Sequence, residues 1–266
     1  MLFRKKKTDR YDNGKIIVVK GSGYKKDEGY NRLRDNILYL NADGTKKVIQ
    51  VESAVASEGK TTTLCNLAVS LGAAGKKVVV VDLDFRRPRT HRVFEESKEN
   101  GIAEYILEGK TKEEIVKKTK YENVDLITRG AEVYNSSLVF ISEKFKKFIA
   151  DLRNEYDFVL LDCAPVLLVS DYIHISEVSD GILFMVAHGI TTKAQVTEAV
   201  KELNKNNAQI LGAVFTMYDS KRTKYYNGYS YKKYYKYSYN SYVRDDEDEE
   251  EQTTINTEAQ ESTDKE

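Results

Sequence analysis

Tryptophan is absent from this chain of 266 residues, and it has only two prolines and two cysteines. Cys65 and Cys163 cannot make the disulfide framework of a small secreted domain, so they read as free thiols in a reducing compartment. No apolar run approaches the roughly 20 residues that a membrane-crossing helix needs. The start, MLFRKKKTDR, is basic but has no apolar stretch behind it, so no secretory signal is expected there. Net charge is missing too, since 42 Lys and Arg balance 42 Asp and Glu. That balance conceals segregation. Seven Lys or Arg and no acid fall between Lys221 and Arg244, and seven consecutive acids follow, from Asp245 to Glu251.

What is abundant is tyrosine. Nine of them, Tyr225, Tyr226, Tyr229, Tyr231, Tyr234, Tyr235, Tyr237, Tyr239 and Tyr242, stand among the lysines of KRTKYYNGYSYKKYYKYSYNSYVR. Their spacing follows neither the helical period nor strict alternation, so they do not describe a buried face. The last residues, QTTINTEAQESTDKE, are polar and predict disorder. Composition therefore divides the chain into a flexible arm (1–24), a folded domain (25–218), a tyrosine-rich tail (219–244) and an acidic, polar tail (245–266).

Within the folded domain, residues 28–40 have helical spacing, with Tyr30, Leu33, Ile37 and Leu40 on one face. Strands are expected at KVIQVES, KKVVVVDLD, VDLITRG, DFVLLDCAP, GILFMVAHG and AQILGAVFT, and helices at 61–74, 137–153, 171–177 and 193–204. Apolar strands alternating with helices predict an α/β fold: a P-loop NTPase-like, doubly wound, mainly parallel sheet with helices on both faces.

The string ASEGKTTT follows the first of these strands and opens a helix. It matches the phosphate-binding loop pattern, with Ala54 in place of its first glycine. Backbone N–H groups of Ser57, Glu58, Gly59, Lys60, Thr61 and Thr62 would wrap phosphates at a helix N-terminus, Lys60 would reach the outer phosphates and Thr61 would ligate Mg²⁺. Two further strands end in carboxylates: Asp82 and Asp84 after VVVV, and Asp162 after FVLL. Ligands of doubly wound sheets lie at the carboxyl ends of the strands, so all three are expected at the phosphate site. On a regular strand Asp82 and Asp84 share a face. A plainer reading of Asp84 is a cap or ion pair with Arg86 or Arg87. His91 is as easily structural as functional, and Cys163 reads as a small packing residue.

Together ASEGKT, VVVVDLDFR, FVLLDCAP and a terminal tyrosine cluster resemble the cytoplasmic kinase domain of bacterial protein-tyrosine kinases of the capsular and exopolysaccharide type. The resemblance spans roughly residues 28–242. It implies ATP and Mg²⁺ as cofactors, with Lys60, Asp82 and Asp84 catalytic and Asp82 taking the tyrosine proton. Thr61, Asp82, Asp84 and Asp162 would stand around the metal. It implies phosphorylation of the tail tyrosines in trans and control of polysaccharide synthesis and export. The partners implied are a transmembrane activator, or polysaccharide co-polymerase protein, and a cognate tyrosine phosphatase, with the kinase held from the cytoplasm at the inner face of the membrane. The family's ring-forming E-x-x-R-x-x-R reads Glu28, Asn31 and Arg34 here, so Glu28, Arg34 and the neighbouring Arg32 are the candidates for a homo-oligomer contact. Thr216 stands where an adenine-recognising asparagine is common.

Two other classes fit parts of the sequence. A partitioning or septum-positioning ATPase of the ParA/MinD kind needs a signature lysine where Val55 stands, and has no use for the tyrosine tail. A Lys/Tyr-rich tail could stack nucleic-acid bases, but the adjacent acids compete for its lysines, so no nucleic-acid partner is expected.

Overall fold

The structure, a computed structural model, describes residues 15, 16, 18 and 24–218. The tyrosine cluster and the acidic block lie outside the described residues. Seven strands form one sheet in the order β3-β4-β2-β5-β1-β6-β7. They are β1 (Val48–Ser53), β2 (Val78–Asp82), β3 (Val116–Lys118), β4 (Val124–Ile127), β5 (Phe158–Asp162), β6 (Gly181–Ala187) and β7 (Ile210–Thr216). All neighbours run parallel except the short edge pair β3 and β4.

Every residue of β1, β2 and β5 is buried, as expected for central strands covered on both faces. Alternation sorts their side chains. Val78, Val80, Phe158 and Leu160 enter one core with Leu64, Leu67, Ala68 and Leu71 of α2 (Lys60–Ala73). Val79, Val81, Val159 and Leu161 enter the other, against Phe145, Phe148, Ile149 and Leu152 of α7 (Glu143–Glu155). Removing one such leucine side chain would cost about 2–5 kcal/mol.

Helix α1 (Tyr24–Leu40) packs on α2 through Ile37, while Leu40, expected on its inner face, is exposed. Asn31 binds the two helices further, since its Oδ1 accepts from Ser70 Oγ at 3.0 Å. Arg32 pairs with Glu28 one turn earlier at 2.7 Å, and Arg34 with Asp35 at 2.9 Å. Ile16 and Val18, in the expected flexible arm, rest on the α2 side of the core, and Val18 N donates to Asn66 Oδ1 at 3.2 Å.

The expected helix over 137–153 is two helices, α6 (Ser136–Phe140) and α7. Ser142 separates them, capping α7 by accepting from Phe145 N at 3.2 Å. Helices α3 (Thr90–Phe94), α4 (Ile102–Leu107) and α5 (Lys112–Ile115), and the edge strand β3, fill a stretch that has no clear periodicity in sequence. Helices α8 (Asp171–Ser176) and α9 (Lys193–Lys205) fall where the pattern placed them. Among the described residues no helix is long and apolar enough to cross a membrane.

Candidate active site

The phosphate-binding loop leaves the carboxyl end of β1 and turns into α2. Two of its residues take the left-handed region, Ser57 at φ 67° and Gly59 at φ 84°. Gly59 meets that requirement at little cost, and Ser57 is held there by the surrounding loop. Lys60 is buried and donates to Ser53 Oγ at 2.9 Å. Thr61 Oγ1 donates to Asp162 Oδ2 at 2.7 Å. A cavity of about 450 Å³ opens above, lined by residues 56–62, Asp84, Arg86, Arg87, Arg89, residues 164–165 and residues 168–169.

Glu58 stands among the residues around the cavity, and its carboxylate is fully buried behind the loop. It accepts from Val55 N at 2.7 Å, from Ala187 N at 3.2 Å and from the Thr191 hydroxyl. Thr216 also serves the loop, donating from Oγ1 to Glu58 O at 2.7 Å. Both are fasteners of the loop to β6 and β7.

The three carboxylates divide. Asp82 and Asp162 are register partners on β2 and β5, and both are buried. Asp82 accepts from the backbone N–H groups of Asp84, Arg89 and Thr90 at 3.2, 3.1 and 3.1 Å, and from Thr90 Oγ1 at 2.7 Å. It organises the loop over residues 84–90. Asp84 alone of the three lines the cavity. Strand β2 stops at Asp82, so alternation no longer governs Asp84, and the shared face expected of the pair is not present. Asp84 Oδ1 also accepts from the N–H groups of Arg86 and Arg87 at 3.2 and 2.9 Å, so the cap reading and the cavity reading both describe it.

Burial lifts Asp82 and Asp162 above the usual carboxylate range; bonds from Thr90 restrain Asp82, while the charge of Asp82 lifts Asp162 further. Asp162 Oδ1 is buried without a partner. Among the described residues no three His, Cys, Asp or Glu side chains could hold a metal by themselves. A buried carboxylate with one unpartnered oxygen, beside the Thr61 hydroxyl, suits Mg²⁺, which takes one or two carboxylates besides phosphate oxygens and water. Thr61 and Asp162 would hold it, with the unpartnered Asp162 oxygen nearby to accept from its water.

Known proteins bear on this geometry. A family model described as an AAA domain matches residues 46–213. Tyrosine-protein kinase CpsD of Streptococcus pneumoniae is 32% identical over 202 residues, covering 76% of this chain and 88% of CpsD. The chain belongs to the bacterial tyrosine-protein kinase family. Tyrosine-protein kinase YwqD of Bacillus subtilis (strain 168) is 29% identical over 214 residues, covering 80% of this chain and 90% of YwqD. The crystal structure of the chimerical protein CapA2B2 superposes with a TM-score of 0.71 at 28% identity, covering 75% of this chain and 88% of that one.

The kinase uses residues that sequence reasoning did not single out. Thr90 and Arg89 anchor Asp82, and Leu168 and Val169 give the cavity an apolar wall. Only the D-x-D followed by R-R-P-R-T hinted at the first pair, and nothing in the sequence marked the second. Cys163 packs in the core as expected, and burial pushes both thiols up, away from reactivity.

Proposed function

We propose that this tyrosine kinase uses Mg-ATP to phosphorylate the tyrosines between Tyr225 and Tyr242 on a neighbouring copy, and that this cycle governs capsular or exopolysaccharide synthesis and export. The observation that carries the reading is a single cavity bringing together the phosphate loop, Lys60, Thr61 on Asp162, and Asp84. Phosphoryl transfer asks the protein mainly for position and charge.

Loop N–H groups and Lys60 would draw charge from the outer phosphates. Thr61 and Asp162 would hold Mg²⁺, which when bound would supply positive charge against the phosphates. The tyrosine oxygen forms the new bond to the γ-phosphorus, the bond to the bridging oxygen breaks, and ADP leaves. The phenolic proton passes to a carboxylate of the pair Asp82 and Asp84. Asp84 is the one open to the cavity. Asp82 reaches a hydroxyl only when residues 84–90 release its hydrogen bonds. Asp82→Asn and Asp84→Asn, compared in single turnover with nucleotide affinity measured alongside, assign the base.

In this reading Glu28, Arg32 and Arg34 on α1 contribute to the contact between copies. A transmembrane activator brings the kinase to the inner membrane face, and a phosphatase resets the tail. Mass spectrometry of the full chain incubated with Mg-ATP is expected to find tail phosphotyrosine, and to find it lost in Lys60→Met. Normal incorporation by Lys60→Met would overturn the mechanism.

A further inference from the structure

Beside the nucleotide cavity lies a second hollow, about 350 Å³ in volume, whose lining includes Arg86, Arg87, Arg89, Arg92, Lys98 and Arg129 but no carboxylate. Among the described residues none of these six cations forms an ion pair. Arg129 is turned toward the backbone, donating to Phe85 O at 3.1 Å and Gly130 O at 3.2 Å. The other five are exposed. His91, in the same wall, has a buried and unpartnered Nδ1, and burial with the charges of Arg92, Lys98 and Arg129 holds its pKa down. Unopposed cations around one hollow repel one another and focus a field that draws in anions. ATP does not account for all of them, because Arg92, Lys98 and Arg129 do not line the nucleotide cavity.

We propose that this cationic hollow docks residues 245–251, DDEDEEE, of a second copy of the chain. The proposal rests on the kinase reading above and names how its tail substrate is held. Charge favours this occupant: six cations meet seven consecutive acids. Reach allows it, since the 26 residues between Tyr218 and Asp245 can extend at most about 90 Å. Position gives it a purpose. Arg86, Arg87 and Arg89 line both hollows. Tyr242 lies three residues before Asp245, at most about 10 Å away along the chain. An acidic segment anchored here therefore leaves the preceding tyrosines beside the nucleotide cavity. Docking outside the reacting centre raises substrate occupancy without touching the transfer step, so it acts on KM and leaves kcat alone.

Two measurements test this. In the first, a dye-labelled peptide of residues 237–254, with its tyrosines replaced by phenylalanine, is titrated without nucleotide into a full chain whose own 245–251 acids are changed to Asn and Gln. Binding is expected at low salt, about tenfold weaker with Arg92→Glu plus Lys98→Glu, as for the loss of a few surface ion pairs. It should be lost at high salt and restored to the reversed protein by a peptide carrying lysines in the acidic block. Arg92→Gln plus Lys98→Gln replaces the reversed pair if the latter does not fold. In the second, active kinase phosphorylates full-length Lys60→Met, with and without a neutralised block. The neutralised substrate is expected to show a KM about five- to tenfold higher at unchanged kcat. Equal binding of acidic and neutral peptides, no effect of reversal, or tail phosphorylation independent of protein concentration would overturn the proposal. Loss of all phosphotyrosine with peptide binding intact would count against the kinase reading instead.

Discussion

Glu58 offers the sharpest test of how the phosphate loop is built. A carboxylate inside a nucleotide loop invites a role in contacting ligand, yet this one faces inward and accepts from Val55 N, Ala187 N and the Thr191 hydroxyl. Glu58→Ala leaves the N–H groups of Val55 and Ala187 without acceptors. Each of these two stranded donors costs about 1–3 kcal/mol, and the lost hydroxyl bond adds about 1 kcal/mol, so the total is about 3–7 kcal/mol. Domains of this size have about 5–15 kcal/mol in hand, so the variant folds with reduced reserve. Glu58→Gln keeps one oxygen and turns an NH₂ toward the other set of donors, and should lose about half as much.

Nucleotide affinity separates this fastening role from a contact role. A loop released from β6 and β7 no longer holds its N–H groups toward phosphate, so Kd for a fluorescent ATP analogue is expected to rise tenfold or more, on the order of 1.4 kcal/mol. A carboxylate facing the phosphates would repel them, and its removal would tighten binding. Urea unfolding at constant m-value gives the stability, and an anisotropy titration gives the affinity. Glu58→Ala with unchanged stability and tighter nucleotide binding would refute the argument.

Three further outcomes are expected. Burial raises the carboxyl of Glu52, on β1 beside the loop, from 4.5 to about 8. The folded chain therefore keeps a proton that the unfolded chain releases, and stability falls as pH rises from about 4.5 to about 8. Glu52→Gln should flatten that loss, raising stability by a few kcal/mol at pH 9 and little at pH 4 in urea unfolding without nucleotide. Gly101 has no room for a side chain, since an added Cβ would lie 2.1 Å from Thr128 O and 2.4 Å from Gly130 N. Gly101→Ala should cost about 2–4 kcal/mol, whereas Gly75→Ala, at φ 78° with open space around it, should cost only about 1 kcal/mol. Thr90→Val removes one of the four donors on Asp82 and should lower stability by about 1–2 kcal/mol and slow turnover through the loosened 84–90 loop; unchanged kcat would separate that loop from catalysis.

What could be read from sequence follows from what each signal encodes. Strands β2 and β5 announced themselves because both faces are buried, which forces unbroken apolar runs ending in polar residues at the sheet edge. The phosphate loop was legible because glycine, lysine and threonine must stand at fixed offsets from a helix start. The break between α6 and α7 was hidden by an apolar period that runs on through Phe140 and Phe145, both in one core, while Ser142 quietly starts a new helix. Short helices α3 to α5 lack a period because tertiary contacts, not their own pattern, hold them. The direction of a side chain within a tight loop was not legible at all: nothing in the sequence marked the inward turn of the Glu58 carboxylate or the bond from Thr216 to Glu58 O. Asp82 shows why: read as chemistry from its place at a strand end, it also folds the 84–90 loop around its own oxygens. That loop carries Arg86, Arg87 and Arg89, which line both the nucleotide cavity and the cationic hollow. One buried carboxylate thus sets the geometry of two adjoining anion-facing surfaces, and perturbing it should disturb both together.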